Sequence, residues 1–318
     1  MILQFLFLIL GLALLIKGAD WLVEGASALA RKYHVSDLAI GLTMVAFGTS
    51  APELVVNSFG AYQGHHDIVF GNVIGSNIFN LLLILGIAGL ITPLAVKSGT
   101  VWKEIPISLF AVVLLFFLAG DFYLKPSATT FLGTIDGFIL LIMFGLFLFY
   151  VYRQLKSDPS EIELSQKKFS QIKLWSFITL GLAGLIIGGK LVIDNAVEIA
   201  KSWGVSEKVI GVTIIAAGTS LPELATSVVA AMKKKVDIAV GNIIGSNIFN
   251  IFLILSVSSI IRPLQFNKSF HYDLVFLAGG TFLLFGFMFS GEKKKLDRWE
   301  AGVLLLLFMG YILYSLMI

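Results

Sequence analysis

GLTMVAFGTSAPEL (41–54) returns as GVTIIAAGTSLPEL (211–224), and DIVFGNVIGSNIFNLLLIL (67–85) returns as DIAVGNIIGSNIFNIFLIL (237–255). The offset is 170 in both cases. From residue 41 to 94 the two copies align without a gap, with 27 identities in 54 positions. Flanking residues keep the offset more weakly: Gly18 with Gly188, Glu24 with Asp194, and Val35-Ser36 with Val205-Ser206. The chain is a tandem duplication whose best-kept parts are polar motifs set inside apolar surroundings.

Those surroundings define the solvent. Hydrophobic residues make up 57% of the 318 and charged residues 14%, against about 45–50% and about 25% in soluble domains. Too few polar residues remain to cover a water-facing surface, so lipid is the expected solvent. A span needs roughly 20 mainly apolar residues to cross about 30 Å of hydrocarbon. Ten stretches qualify, near 2–20, 38–60, 68–91, 104–119, 131–151, 174–198, 208–231, 237–261, 272–289 and 299–317. The N-terminal run lacks a basic n-region and a small-residue cleavage site, so it reads as a retained span. The polar segment 153–173 divides the chain into a first five-helix repeat (1–152), a short linker and a second repeat (174–318).

Five is odd, so the second copy enters the membrane upside down. Basic residues sort with that topology. With the N-terminus outside, sixteen Lys and Arg fall in inner loops and five in outer ones. An excess of Lys and Arg marks cytoplasmic loops. Both termini are therefore expected outside and the 153–173 loop in the cytoplasm. The expected fold is an all-α membrane protein of ten helices in two inverted repeats. Such repeats recur in secondary transporters, with the substrate held between the halves near the midplane.

Glu53 and Glu223 fall at mid-span. An ionisable residue there costs at least ~2.5–3.5 kcal/mol on insertion scales, which makes it a functional candidate. Pro52 and Pro222 lack an N–H, so the carbonyls of Gly48 and Gly218 lose helical partners and the helices are expected to break. Broken backbone at membrane depth is tolerated only where it is buried or lines a wet cavity. Thr49 and Thr219 precede the glutamates by four residues, a spacing that puts each hydroxyl on its own carboxylate's face in a continuous helix. Ser50 and Ser220 add hydroxyls. In the second motif Ser76 and Asn80, with Ser246 and Asn250, share a face and are expected as ligands. Asn77 and Asn247 are expected to pin the broken helix, and Gly71 and Gly75 are spaced for close helix packing.

Carboxylates, amides, hydroxyls and backbone oxygens suit a hard cation; Ca²⁺ takes about 6–8 oxygens in flexible geometry. The chain has no cysteine, and its histidines (34, 65, 66 and 271) fall in loops or at a span edge. A soft-metal site is not expected. No GxSxG or HExxH sequence occurs, which removes the usual intramembrane hydrolase readings. A passive channel fits poorly, because a symmetric buried acid pair suits occlusion.

GTSxPE and GNxxGSNIFN, each present twice at one offset, make the chain similar to the calcium/cation antiporter superfamily, in its sodium/calcium exchanger branch. The resemblance covers nearly the whole chain. It implies exchange of calcium for sodium at one shared site in a bilayer, without cofactor, nucleic acid or obligate protein partner. It makes Glu53 and Glu223 central calcium ligands, with Thr49, Ser50, Ser76, Asn80, Thr219, Ser220, Ser246 and Asn250 completing the calcium and sodium sites. The carbonyls of Ala46 and Ala216 match positions that offer backbone oxygen in relatives. Archaeal and potassium-dependent relatives often have Asp where Asn250 stands; Asn in both copies resembles animal plasma-membrane exchangers and argues against a potassium requirement. The 153–173 loop is too short for their calcium-sensing domain. A proton-coupled cation antiporter using the same carboxylates is the alternative.

Overall fold

The computed structural model describes residues 2–119, 130–155, 170–203, 216–291 and 294–317. Helices occupy all ten places that hydropathy marks. α1 spans Ile2–Tyr33. α2 (Asp37–Thr49) and α3 (Ala51–Gln63) are two limbs of one bent span. α4 covers His66–Ile91 and α5 Thr100–Ala119. α6 runs Thr134–Leu155 and α7 Gln171–Ser202. α8 (Ala216–Thr219) and α9 (Leu221–Met232) form the second broken element. α10 is Val236–Ile261, α11 Phe270–Phe287 and α12 Arg298–Met317. Residues 208–215 of the expected seventh span, and most of the 153–173 linker, lie outside the described residues. So do Lys125, Lys208 and Lys293, which entered the sorting of basic loops.

Seven of these helices are individually long and apolar enough to cross a membrane, and the bent α2–α3 pair makes an eighth. Lipid-facing side chains follow the same logic. Leu6, Ile16, Phe117, Ile142, Leu306 and Leu313 are large, apolar and exposed, an arrangement that water would penalise and hydrocarbon does not. This is a multi-pass integral membrane protein. α1 runs 13 residues beyond its expected end, because polar Asp20 and Glu24 cap the apolar stretch without breaking a helix that ends at Arg31 and Lys32.

Burial ranks the helices. Nearly all of the apolar window of α10 is enclosed and two thirds of that of α4, but only about a third of that of α1, α5 or α11. α4 and α10 are the repeated GNxxGSNIFN helices, and they form the centre. Gly241 and Gly245 of α10 let it press on α2. A Cβ at Gly241 would lie 2.8 Å from the Leu38 carbonyl oxygen, and one at Gly245 would lie 2.9 Å from that of Leu42. In this copy the GxxxG packing joins the second repeat to the first, whereas at Gly71 and Gly75 the nearest described atoms to an added Cβ are the Phe270 ring carbons, 3.7 Å away at Gly71.

Short two-residue strands tie the helix ends together in a symmetric way. Leu94–Ala95 pairs antiparallel with Lys295–Leu296, and Phe131–Leu132 with Leu264–Gln265. Each strand pair joins one repeat to the other. The apolar core divides into two bodies. One gathers α4, α5, α6, α10, α11 and α12 with parts of α2 and α9. The other lies along α1 and α7, which pack against each other over much of their length.

Candidate functional site

The break falls at Ser50. Its φ and ψ are −84° and 6°, α2 ends at Thr49, Pro52 occupies the first turn of α3, and the two limbs diverge by 48°. Ser220 repeats this geometry at −89° and 7°, before Pro222. The local cause is the one the sequence names: proline cannot donate to the carbonyl four residues back. Each bend sets a glutamate in the first turn of the second limb, Glu53 on α3 and Glu223 on α9. Both side chains are 1% exposed.

The bend corrects one expectation. Thr49 does not serve Glu53, because the turn at Ser50 breaks the continuous helix that i, i+4 spacing assumes. The hydroxyls reach across the molecule instead. Ser50 Oγ donates to Glu223 Oε1 at 2.8 Å, and Ser220 Oγ donates to Glu53 Oε1 at 3.2 Å. Thr49 and Thr219 likewise approach the carboxylates of Glu223 and Glu53. The chain lies on its own inverted image here, and each acid is held by the opposite copy.

α4 and α10 supply the next contacts. Ser76 Oγ sits 3.0 Å from Ser220 Oγ, and Ser246 Oγ sits 3.0 Å from Ser50 Oγ and 3.5 Å from Glu223 Oε1. Asn77 and Asn247 each donate Nδ2 to the other's backbone carbonyl, at 3.2 and 3.4 Å. Their side-chain oxygens then accept from Asn250 Nδ2 at 2.9 Å and from Asn80 Nδ2 at 3.1 Å. This fixes both amides of the outer pair, leaving Asn80 Oδ1 and Asn250 Oδ1 without donors. A π-turn begins beside each of them, at Phe79–Ile84 in α4 and at Asn250–Ile254 in α10. Such wide turns are frequent at functional sites, and nothing in the residue pattern announced them.

A supporting ring adds Asn57 and Ser227, which were missed in the sequence, to the repeated amides of Asn72 and Asn242. Asn57 Nδ2 donates to the Glu53 carbonyl and to Asn72 Oδ1, both at 2.7 Å, and Asn72 Nδ2 reaches Thr219 Oγ1 at 3.1 Å. In the second copy Asn242 Nδ2 donates to Ser227 Oγ at 2.9 Å, while Thr49 Oγ1 donates to Asn242 Oδ1 at 3.0 Å. Asn57 and Ser227 stand four residues past their glutamates, and that spacing was the available signal. The Ala46 carbonyl already accepts from Ser50 N at 2.9 Å and Thr49 Oγ1 at 3.3 Å. Ligation there requires one of these donors to give way. Ala216 opens α8.

Besides Asn57 Oδ1 of the supporting ring, four acceptor atoms of the expected ligands remain buried without a donor: Glu53 Oε2, Glu223 Oε2, Asn80 Oδ1 and Asn250 Oδ1. They form two symmetric pairs. An unsatisfied buried acceptor costs about 1–3 kcal/mol, more when charged. Four acceptors beside hydroxyls, with no basic side chain among them, form an oxygen cradle for a cation. Among the described residues no three His, Cys, Asp or Glu side chains gather in a metal-holding group, so this cradle combines two acids with neutral oxygens.

Helices in two inverted repeats around a symmetric, acidic, all-oxygen centre define a secondary cation transporter. Comparison with known proteins gives the family. The model of the sodium/calcium exchanger protein family matches residues 3–154 and 173–317, and the chain belongs to that family. It is 39% identical over 317 residues to the putative antiporter CaxA of Alkalimonas amylolytica, covering 98% of each chain. It is 32% identical over 342 residues to the sodium/calcium exchanger MaX1 of Methanosarcina acetivorans, covering 97% of each. It also superposes on the sodium–calcium exchanger NCX_Mj soaked with 10 mM Na⁺ and zero Ca²⁺. There the TM-score is 0.85 at 33% identity, with 98% of both chains covered. The protein is a transporter and not an enzyme.

Proposed function

We propose that this protein exchanges Ca²⁺ for Na⁺ by alternating access, with both ions using the site between the repeats in turn. The observation that carries this reading is the set of four donorless acceptors, Glu53 Oε2, Glu223 Oε2, Asn80 Oδ1 and Asn250 Oδ1. Two carboxylates balance one divalent cation, and the adjoining hydroxyls of Ser50, Ser76, Ser220 and Ser246 add neutral oxygens. Calcium's tolerance of irregular oxygen shells suits ligands that arrive from four separate helices. Magnesium dehydrates reluctantly and asks for rigid octahedral geometry. The names of NCX_Mj and MaX1 support the same ion pair.

The inverted repeat supplies the mechanism. Each acid is bonded to hydroxyls of the other copy, so the two broken elements meet at the ion. A relative shift of the halves that opens one side closes the other, because the copies are related by inversion across the membrane plane. Residues 1–152 and 174–318 are the two working halves in this reading, joined by the linker. We place the protein in a plasma membrane with both termini outside, from the sorting of basic loops. Lys234 faces the cytoplasm in that topology and Lys268 the exterior. Single cysteines at these positions, in a chain that has none, should then react with an impermeant maleimide in intact cells only at 268. Labelling at 234 instead inverts the topology.

The functional test is ⁴⁵Ca²⁺ uptake into proteoliposomes loaded with Na⁺ and diluted into Na⁺-free buffer, beside a matched pH-gradient arm. Uptake driven by the Na⁺ gradient is expected. Uptake driven by the pH gradient alone would assign the carboxylates to proton exchange, and uptake under neither would remove calcium as the cargo.

A further inference from the structure

Away from the central site two acids are fully enclosed: Glu300, whose oxygens accept from Ser290 Oγ and Asp297 N, and Glu104. Glu104 lies in the first turns of α5. Tyr150 of α6 donates its hydroxyl to Glu104 Oε1. The Gln154 amide lies beside the Tyr150 hydroxyl. That chain ends with three buried oxygens lacking any partner: Glu104 Oε2, Gln154 Oε1 and Thr100 Oγ1. Gly99 locates two of the side chains together. A Cβ there would lie 3.2 Å from Gln154 Nε2 and 3.9 Å from Glu104 Oε2. Thr100 and Glu104 open and close a single π-turn, so their side chains lie one above the other. Lys103 places Nζ 5.6 Å from the centroid of the Tyr150 ring, and no ion pair among the described residues includes Glu104.

The second repeat holds a related pair on the corresponding helices: Tyr311 of α12 donates to Asp273 Oδ1, in the first turn of α11, at 3.0 Å. Asp273 is only half-buried, and neither of its oxygens is orphaned. There the helix begins as a regular α-helix, without the π-turn that runs from Thr100 to Glu104. Enclosing the acid completely and leaving an oxygen of it unsatisfied sets the first copy apart from the second. A buried carboxylate without a counter-charge is strongly unfavourable unless something neutralises it. A proton on Oε2 would satisfy one of the three orphaned atoms and a neighbour at most. A small cation satisfies all three at once.

We propose that Glu104 Oε2, Gln154 Oε1 and Thr100 Oγ1 hold a monovalent alkali cation of the sodium class, at a second site separate from the transport centre. Charge selects the class. One carboxylate with neutral oxygens balances a single positive charge, whereas calcium sites collect more carboxylates and about 6–8 oxygens. The site lies at the last turns of α6, at the membrane end that continues into the 153–173 linker. An ion bound there braces α5 against α6 on that side only.

The test uses purified full-length protein with the transport carboxylates neutralised, Glu53→Gln with Glu223→Gln. Its thermal midpoint is followed as NaCl replaces choline chloride at constant ionic strength. A saturable rise of roughly 3 °C is expected, the scale for an ion about tenfold above its dissociation constant. Adding Glu104→Gln should abolish that rise. Should Glu104→Gln fail to fold, Thr100→Val carries the test by raising the half-saturating Na⁺ about tenfold. No Na⁺-dependent rise overturns the proposal. A rise that survives Glu104→Gln places the ion elsewhere and also overturns it. Stabilisation on lowering pH, with no response to Na⁺, assigns the pocket to a proton. A response to CaCl₂ at micromolar concentration, absent with Na⁺, refutes the monovalent class.

Discussion

Replacing either Glu53 or Glu223 with Gln should abolish calcium transport while leaving the fold intact. Gln keeps the shape and one oxygen of each side chain. The bond from Ser220 Oγ to Glu53 Oε1, at 3.2 Å, and that from Ser50 Oγ to Glu223 Oε1, at 2.8 Å, can both persist on the amide oxygen. What disappears is one charge and the donorless Oε2, replaced by an NH₂ that repels a cation. Removing one charged partner from a buried pair costs about 2–5 kcal/mol, which is roughly 30-fold to several thousand-fold in affinity. The apo protein should lose no stability, since two enclosed carboxylates within electrostatic reach of one another are themselves unfavourable. The thermal midpoint in metal-free buffer should therefore hold or rise, and added Ca²⁺ should no longer raise it. Na⁺-driven ⁴⁵Ca²⁺ uptake at the wild-type rate in either variant would remove these residues from the site. A collapsed thermal midpoint would recast them as structural.

The same two residues show how far the sequence could be read. An acid at mid-span, after a Gly-Thr-Ser break and beside a proline, is a local pattern, and local patterns carry through to the structure. So do the apolar stretches, within the described residues, and the division of the asparagines into two kinds. Asn77 and Asn247 clasp each other's backbone, and Asn80 and Asn250 keep a free oxygen. What local pattern does not contain is the partner across the molecule. Thr49 was paired with Glu53 by helical spacing, yet its hydroxyl goes to Asn242 and toward Glu223, 193 and 174 residues away in sequence. Nothing in a linear repeat says which copy's hydroxyl meets which copy's acid; that follows only when the two copies are packed in inverted orientation. The π-turns at Phe79–Ile84 and Asn250–Ile254 were hidden for a related reason. Residue propensities hardly separate a π-turn from the α-helix around it, and packing decides between them. Glu104 escaped notice because it stands at a span edge, where an acid is unremarkable until the structure shows it enclosed.

Gly181→Val should disable the protein by a different route, through the contact of α1 with α7. These helices meet backbone to backbone. A Cβ on Gly18 would lie 2.8 Å from both the Gly181 oxygen and the Leu185 nitrogen, and one on Gly181 would lie 2.7 Å from the Leu22 nitrogen. One turn pair further along, a Cβ on Gly188 would lie 2.8 Å from the Gly11 oxygen. Such distances leave no room for a methyl group, and the colliding atoms are main chain, which cannot rotate aside. Lipid tails are as apolar as the helix faces, so close packing must hold helices together in a bilayer. The glycines at 11, 18 and 181, 188 recur every seven residues, near the two-turn period of a helix, and keep one stripe of each backbone bare. The sequence displayed Gly18 and Gly188 as equivalent positions without showing that they face opposite helices of one crossing. Overpacking typically costs about 1–3 kcal/mol and more where backbone must move; valine at 181 should sit at or above the upper end. The expected result is a lower thermal midpoint, less folded protein after extraction, and loss of ⁴⁵Ca²⁺ uptake in whatever remains. Gly181→Ala should fall between, because its single Cβ already meets the Leu22 nitrogen. Gly145→Val on α6 is the control, since that exposed glycine has nothing described within 4 Å of its Cβ position, and it should behave as wild type. If Gly181→Val keeps both the wild-type midpoint and wild-type transport, the two long helices do not touch as described. If it keeps the midpoint and loses transport, the contact matters for the exchange of access and not for holding the fold.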